Sequence, residues 1–85
     1  LAHRIRQETG ADDVWLYGSR ARGDHRADSD FDLCAVNVTD DEAWSDLIVE
    51  IAYEPPILLP IDLVRIDRVP EELARNILHE GVSVV

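Results

Sequence analysis

Two short segments of this sequence carry residue types that together suit a metal-bound nucleoside triphosphate. Gly18 and Ser19 end one apolar run and, after ten intervening residues, Asp30 and Asp32 begin another. A glycine–serine turn that leads into a helix offers backbone N–H groups and a hydroxyl to phosphate oxygens. Side chains two residues apart in a strand point to the same face, so Asp30 and Asp32 can present paired carboxylates to a divalent cation. The two segments therefore predict one site for phosphate and metal.

A third aspartate is a candidate for the same site. Asp62 lies within the apolar run 57–64, between Ile61 and Leu63. A carboxylate in an apolar strand is costly unless it is paired or ligates a metal. If this strand lies beside the strand of Asp32, the third carboxylate completes the cluster. Ligation by oxygen alone favours Mg²⁺ or Mn²⁺ over zinc.

The charged residues around the turn have functional and structural interpretations. Arg20 and Arg22 follow the turn and can neutralise phosphate charge, which makes Arg22 a nucleotide-binding candidate. The alternative is a surface charge that balances an acidic chain, and for Arg26 we favour that alternative. His25 lies in the same loop, where a solvated side chain is the favoured interpretation. With 18 acidic residues, an Asp-x-Asp pair by chance also remains open.

Composition excludes several classes of function. A chain of 85 residues makes one small domain, and its 46% hydrophobic content predicts a globular fold. The net charge of −10 argues against direct binding of nucleic acid, which needs a cationic surface. All eight cationic side chains are arginines, so a lysine-dependent phosphate loop and a Schiff base are excluded.

The remaining composition concerns location and the chain ends. Cys34 is the single cysteine and lies among apolar neighbours, so we expect a buried thiol, which suits a cytoplasmic protein. No apolar run reaches the roughly 18–20 residues that span a bilayer, and no signal peptide is visible, so no membrane role is expected. The sequence contains no methionine, and we expect the chain to be trimmed at a terminus.

Apolar periodicity and turn residues predict helices that alternate with short strands. This pattern predicts an α/β (α+β) fold in which helices flank a small mixed β-sheet. The predicted elements are a helix over 1–8, a strand over 14–17, a short helix over 20–22 capped by Ser19, a strand over 30–38, a helix opened by Asp40 and Asp41, a strand over 61–66, a helix with Pro70 in its first turn, and a strand over 82–85.

The combined motif resembles the signature of the DNA polymerase β-type nucleotidyltransferase superfamily. The matching residues are Gly18-Ser19, the ten-residue spacing, Asp30-x-Asp32 and the later strand aspartate Asp62. The fuller text of residues 18–23 and 29–33 is similar to the smallest branch, the minimal nucleotidyltransferases. The resemblance covers nearly the whole chain and implies a single domain over residues 1–85 with the nucleotidyltransferase fold.

The resemblance also implies an enzyme and the roles of its site residues. Gly18 and Ser19 correspond to the turn that binds the triphosphate. Asp30, Asp32 and Asp62 correspond to the carboxylates that hold two Mg²⁺ ions, and Asp62 is placed to help deprotonate the attacking hydroxyl. The implied reaction transfers a nucleoside monophosphate, AMP in the favoured case, to a hydroxyl acceptor with release of pyrophosphate.

The resemblance implies a partner as well. Minimal members commonly act beside a helical HEPN-type protein as the antitoxin of a toxin–antitoxin pair, and such antitoxins can transfer AMP from ATP to that protein. Two alternatives stay open: an antitoxin that neutralises its partner by contact alone, and a small-molecule transferase of the antibiotic-modifying kind. The connector residues 55–59 are a candidate docking face, although they can equally cover the sheet.

Overall fold

Helices and strands alternate along the chain, as the sequence predicts. The computed structural model describes residues 1–85. The elements are α1 (Ala2–Thr9), β1 (Asp13–Tyr17), α2 (Ser19–Arg22), β2 (Phe31–Val36), α3 (Asp41–Tyr53), β3 (Ile61–Arg65), α4 (Glu71–Glu80) and β4 (Val82–Ser83). The predicted fold class, a small mixed sheet flanked by helices, is confirmed. None of the helices combines the length and the apolar character that crossing a bilayer requires.

Strand β2 occupies the interior of a four-stranded sheet whose order is β3-β2-β1-β4. It runs antiparallel to β1 and parallel to β3, while β4 pairs with β1 over two residues only. In this register Asp32 lies opposite Tyr17 on one side and opposite Asp62 on the other. The sheet therefore brings together residues that are 30 positions apart in the sequence.

Apolar side chains on both faces of the sheet form the core. Leu33 and Ala35 of β2 pack on the face covered by α1 and α3, where Trp44, Leu47 and Ile51 follow helical spacing. Cys34 points to the opposite face, which α4 covers, and packs with two other buried side chains, Tyr17 and Ile77. Cys34 is fully buried, which confirms the prediction, and this burial raises the pKa of its thiol to about 11.

The helix starts agree with the sequence in one case and differ in two. The Asp40 carboxylate caps α3 by accepting a hydrogen bond of 3.0 Å from the N–H of Ala43, as predicted. The predicted Ser19 cap is wrong, because Gly18 is the capping residue and Ser19 is the first residue of α2. The Gly18 carbonyl accepts the first helical hydrogen bonds, and no side chain caps the helix. Pro70 likewise lies just before α4 rather than in its first turn.

Three of the four strands are shorter than predicted, whereas β1 begins one residue earlier, at Asp13. β2 begins at Phe31, so Asp30 precedes the strand instead of opening it. It ends at Val36 because the next residue, Asn37, adopts a left-handed conformation with φ 58°. β3 ends at Arg65 and β4 at Ser83, one and two residues before the predicted ends.

A buried cation ties β3 to α3. Arg65 is only 4% exposed, and its guanidinium donates hydrogen bonds to both carboxylate oxygens of Asp67 at 3.0 and 2.9 Å. It also donates to Asp41 at 2.8 Å and lies 5.6 Å from the centre of the Trp44 ring. A buried charge is stable only with such partners, so this network fixes the C-terminal end of β3 against the start of α3.

The first prediction concerns the attachment of α4. The side chain of Ile77 in α4 is fully buried against the sheet, whereas that of the adjacent Leu78 is 56% exposed. We expect Ile77→Ala to lower the free energy of unfolding by about 2–5 kcal/mol, because it leaves a cavity in the core. Leu78→Ala is the matched control and should change stability by about 0.5 kcal/mol or less. Urea denaturation of both variants measures the difference, and equal losses would contradict this account of the packing.

Candidate active site

The glycine–serine turn lies directly against β2, one of the two interior strands of the sheet. Gly18 connects β1 to α2 with φ 74° and ψ −154°, a conformation essentially confined to glycine. A Cβ atom at this position would lie 2.4 Å from Oδ2 of Asp32. The backbone angles therefore require glycine, and a side chain here would also have to displace the end of the Asp32 side chain.

Pairing of β2 with β3 places two of the predicted carboxylates side by side. Asp32 and Asp62 are direct partners in the parallel ladder, in which neighbouring strands lie about 4.8 Å apart. Both side chains point to the sheet face that α4 covers, because Leu33 and Leu63 point to the other face. Asp30 lies two residues before Asp32, immediately outside the strand.

The exposure of these carboxylates differs from the sequence-based expectation. Asp62 is exposed and not enclosed in apolar surroundings, because β3 is an edge strand. Asp30 is also exposed, whereas Asp32 is half-buried. The desolvation that we expected for Asp62 therefore affects Asp32 instead.

Burial and the neighbouring carboxylates make the ionised forms of Asp32 and Tyr17 unfavourable. Burial raises the pKa of Asp32, and the neighbouring charges of Asp62 and Asp30 raise it further, while Arg22 acts in the opposite direction. The pKa of the Tyr17 hydroxyl is raised for the same reasons, first by burial and then by Asp62 and Asp32. A cation beside Asp32 would relieve this repulsion.

The three carboxylates do not form a closed set of metal ligands in the structure. No group of three or more histidine, cysteine, aspartate or glutamate side chains has an arrangement that could hold a metal ion. The donors that the turn and the strands bring near one another are nevertheless all carboxylate oxygens, which are the ligands that Mg²⁺ and Mn²⁺ prefer. Metal binding by Asp30, Asp32 and Asp62 thus stays a prediction to which the donor chemistry is suited.

A carboxylate that sequence analysis missed occupies the turn. Glu80, the last residue of α4, accepts a hydrogen bond of 3.0 Å from the backbone N–H of Gly18. It also accepts hydrogen bonds of 3.1 and 3.3 Å from the Arg22 guanidinium, which pairs with Asp24 as well. An anion is therefore bound where the sequence predicts a phosphate, and the role of Arg22 in nucleotide binding stays a prediction. No local pattern signals Glu80, which is 62 residues from Gly18.

Arg20 organises the loop between the two halves of the site. Its guanidinium donates hydrogen bonds to the backbone carbonyls of Ser29 and Ala27, at distances of 3.1 to 3.2 Å. The same group lies 3.9 Å from the centre of the Phe31 ring, within the range of a cation–π contact. Because its donors are engaged in this way, Arg20 holds the loop against β2, whereas His25 and Arg26 are exposed.

The four-stranded mixed sheet flanked by helices, with a glycine turn against Asp32, defines a small α+β domain. The family model described as "Polymerase beta, Nucleotidyltransferase" matches residues 1–85. The chain belongs to this family and is a nucleotidyltransferase domain. Sequence comparison with curated proteins gives no match.

Solved structures share the fold. A structure described as a toxin–antitoxin with AMP-PNP has a TM-score of 0.68 at 18% identity, covering 98% of this chain and 68% of the other. Two mutant forms of the toxin–antitoxin MntA–HpeT give TM-scores of 0.65 and 0.61, each at 19% identity. They cover 95% of this chain and 66% and 64% of theirs. The chain thus spans about two thirds of the length of these structures, and the likeness is one of fold.

The second prediction tests the contact between the turn and Asp32. Gly18 and Gly23 both have positive φ, but a Cβ at Gly23 would meet nothing within 4 Å. We expect Gly23→Ala to cost about 1–2 kcal/mol of stability, the cost of a left-handed conformation. Gly18→Ala should cost more, because its backbone angles are essentially confined to glycine and the methyl group must also displace the Asp32 carboxylate. Thermal and urea denaturation compare the two variants, and an equal loss would contradict this account of the turn.

The third prediction uses the raised pKa of Asp32 in metal-free protein. Since folding favours the protonated form, the ionised carboxylate lowers stability above its raised pKa, and this cost disappears below the ordinary value of 3.8. Asp32→Asn should therefore melt at a higher temperature than wild type at pH 7, and the gap should close as the pH falls towards 3.8. Asp28→Asn, at an exposed loop position, controls for net charge. A gap that does not change with pH would contradict the argument.

Proposed function

We propose that this domain transfers AMP from ATP to a hydroxyl of a helical HEPN-type partner, as the antitoxin of a toxin–antitoxin pair. The observation that carries the proposal is the register of β2, which sets Asp32 beside Asp62 and against the Gly18 turn. Membership of the nucleotidyltransferase family supports the reaction class. The toxin–antitoxin descriptions of similar folds support the kind of partner.

Each element of the site has a part in this reaction. The backbone at Gly18 and Ser19 and the Ser19 hydroxyl bind phosphate oxygens, and Arg22 exchanges Glu80 for phosphate. A divalent cation held by the three aspartates would supply positive charge at the α-phosphate and at the attacking oxygen. The acceptor oxygen forms a bond to the α-phosphorus, the bond to the bridging oxygen breaks, and pyrophosphate leaves. Asp62, which is exposed at the edge of the sheet, accepts the proton of the acceptor hydroxyl.

Charge favours a protein acceptor over a polynucleotide. The net charge of −10 repels phosphate backbones, and the arginines at the site are engaged by the loop or by Glu80. Asp62 lies at the open side of the sheet, where a partner can approach it. A hydroxyl presented by a docked protein therefore suits the site better than one in a nucleic acid.

Exposed apolar side chains favour neutralisation by contact as the second candidate. Leu58 is fully exposed, Tyr53 is 83% exposed and Ile57 is 41% exposed, all near the end of α3 and in the connector that follows. This cluster suits a docking face whether or not transfer occurs. The two functions differ in their dependence on the aspartates.

The fourth prediction separates the two functions. The chain is co-expressed with the product of the neighbouring gene, and the intact mass of that partner is measured. We expect an increase by one AMP that requires Mg²⁺ and is lost on chelation. Asp32→Asn and Asp62→Asn should reduce transfer by at least about a hundredfold, because each removes charge that stabilises the reacting groups. Ser19→Ala should cost about tenfold to a hundredfold, as for one hydrogen bond to a charged group.

Asp28→Asn is the control variant and should retain transfer, because this exposed loop carboxylate is outside the proposed site. Complex formation and neutralisation without a mass change, in wild type and variants alike, would contradict transfer and favour the contact-only antitoxin.

A further inference from the structure

One edge of the sheet is long and has no neighbouring strand. β3 pairs with β2 only, and β4 at the opposite edge has two residues. The Pro60 carbonyl accepts from the Phe31 N–H at 2.9 Å, and the Ile66 N–H donates to the Ala35 carbonyl at 3.0 Å. Backbone N–H and C=O groups alternate in direction along a strand, so these groups face β2 at the even-numbered residues of β3. The N–H and C=O groups of Ile61 and Leu63 therefore face outward.

This edge passes directly beside the candidate catalytic carboxylate. Asp62 lies between the two outward-facing residues, and its side chain points to the same face as Asp32. In a strand added beside β3, the residue opposite Asp62 would have its Cβ about 4.5–5.5 Å from that of Asp62 and on the same face. The residues on either side of it would point to the α3 face.

The α3 face of this edge is an apolar groove. Its volume is about 390 Å³, and Asp62 is the one charged residue in its lining. The apolar lining includes Ile48, Ile51 and Ala52 of α3 together with Leu63. The groove thus suits apolar side chains that flank a residue placed opposite Asp62.

We propose that the acceptor is an extended protein segment that adds to the edge of β3 as a further strand. It places a hydroxyl side chain opposite Asp62, two apolar side chains in the groove, and basic residues at its ends. This inference rests on the proposed transferase function for its chemistry and adds the form of the acceptor. Edge addition is a general mode of peptide binding in which backbone hydrogen bonds give affinity and alternate side chains give specificity.

Charge decides between this occupant and a second copy of the chain. Glu54 adjoins the groove at Pro55, and both Glu54 and Asp62 are exposed. Two copies that paired through β3 would bring these carboxylates together, each copy with a net charge of −10. A segment with arginine or lysine at its ends is attracted to the same surface.

The test uses the full chain and a degenerate library of short peptides. Each peptide has a central serine, threonine or tyrosine, an apolar residue on either side and arginine at both ends. Amide hydrogen exchange is followed by NMR, and transfer is followed with ATP labelled at the α-phosphate in the presence of Mg²⁺. We expect the library to slow exchange at Ile61 and Leu63 and to accept label.

Two changes remove the edge hydrogen bonds without touching the catalytic groups. Peptides N-methylated at the amides that face β3 should lose about tenfold in labelling, because each lost hydrogen bond weakens binding. Leu63→Pro removes one outward N–H but leaves the ladder to β2, and should lose about tenfold in peptide labelling while MgATP binding is unchanged. Leu63→Ala keeps the N–H and is the matched control. The N-methylated peptides decide the matter if Leu63→Pro fails to fold.

The outcomes separate this inference from the proposed function. Equal labelling of N-methylated and unmodified peptides would overturn strand addition. Protection of Ile61 and Leu63 that grows with protein concentration in the absence of peptide would assign the edge to a second copy. Label on a HEPN-type partner without protection at these amides would leave the proposed function standing and refute the inference. Protection by peptide without any transfer would support docking and refute the transferase.

Discussion

The register of β2 between its two neighbours is the constraint on which the site depends. Leu33 and Ala35 are buried under α1 and α3, and this burial fixes the strand because a slip of one residue would turn its apolar side chains to the wrong face. With the register fixed, Asp32 must lie beside Asp62 and against the turn at Gly18. Hydrophobic packing on one face of the sheet therefore positions the polar groups on the other face. Those polar groups contribute little to the stability of the register themselves.

The same register creates an electrostatic conflict. Asp32 is half-buried next to other carboxylates, and its raised pKa shows that the folded state disfavours its charge. Arg22 opposes this effect but also serves Glu80 and Asp24. A domain of this size is stable by only a few kcal/mol, so such a conflict is a considerable fraction of the total. Sites that bind charged ligands are where sequences depart from what folding alone would favour, and this one has that character.

Local sequence predicted the elements and the fold class well, because they depend on local signals. Periodic apolar residues identified α3, and Asp40 and Asp41 indicated its start from residue type alone. The edge position of Asp62 was missed, since strand order depends on contacts between distant segments and not on the residues beside it. Glu80 was missed for the same reason. Ser19 was assigned as a cap by residue preference, but the unusual angles at Gly18 move the start of the helix by one residue.

The hydrogen bonds that Arg20 makes to the loop between α2 and β2 affect how the length of that loop can change. Its side chain reaches from α2 to the carbonyls of Ala27 and Ser29, so a side chain, and not the backbone, closes the loop. The exposed segment from 24 to 26 lies between the two points of the chain that this contact joins. Doubling the length of a flexible loop costs only about 0.6 kcal/mol. Insertions there are thus thermodynamically cheap, and we expect a lengthened loop to keep the two halves of the motif adjacent in space as long as Arg20 holds its ends.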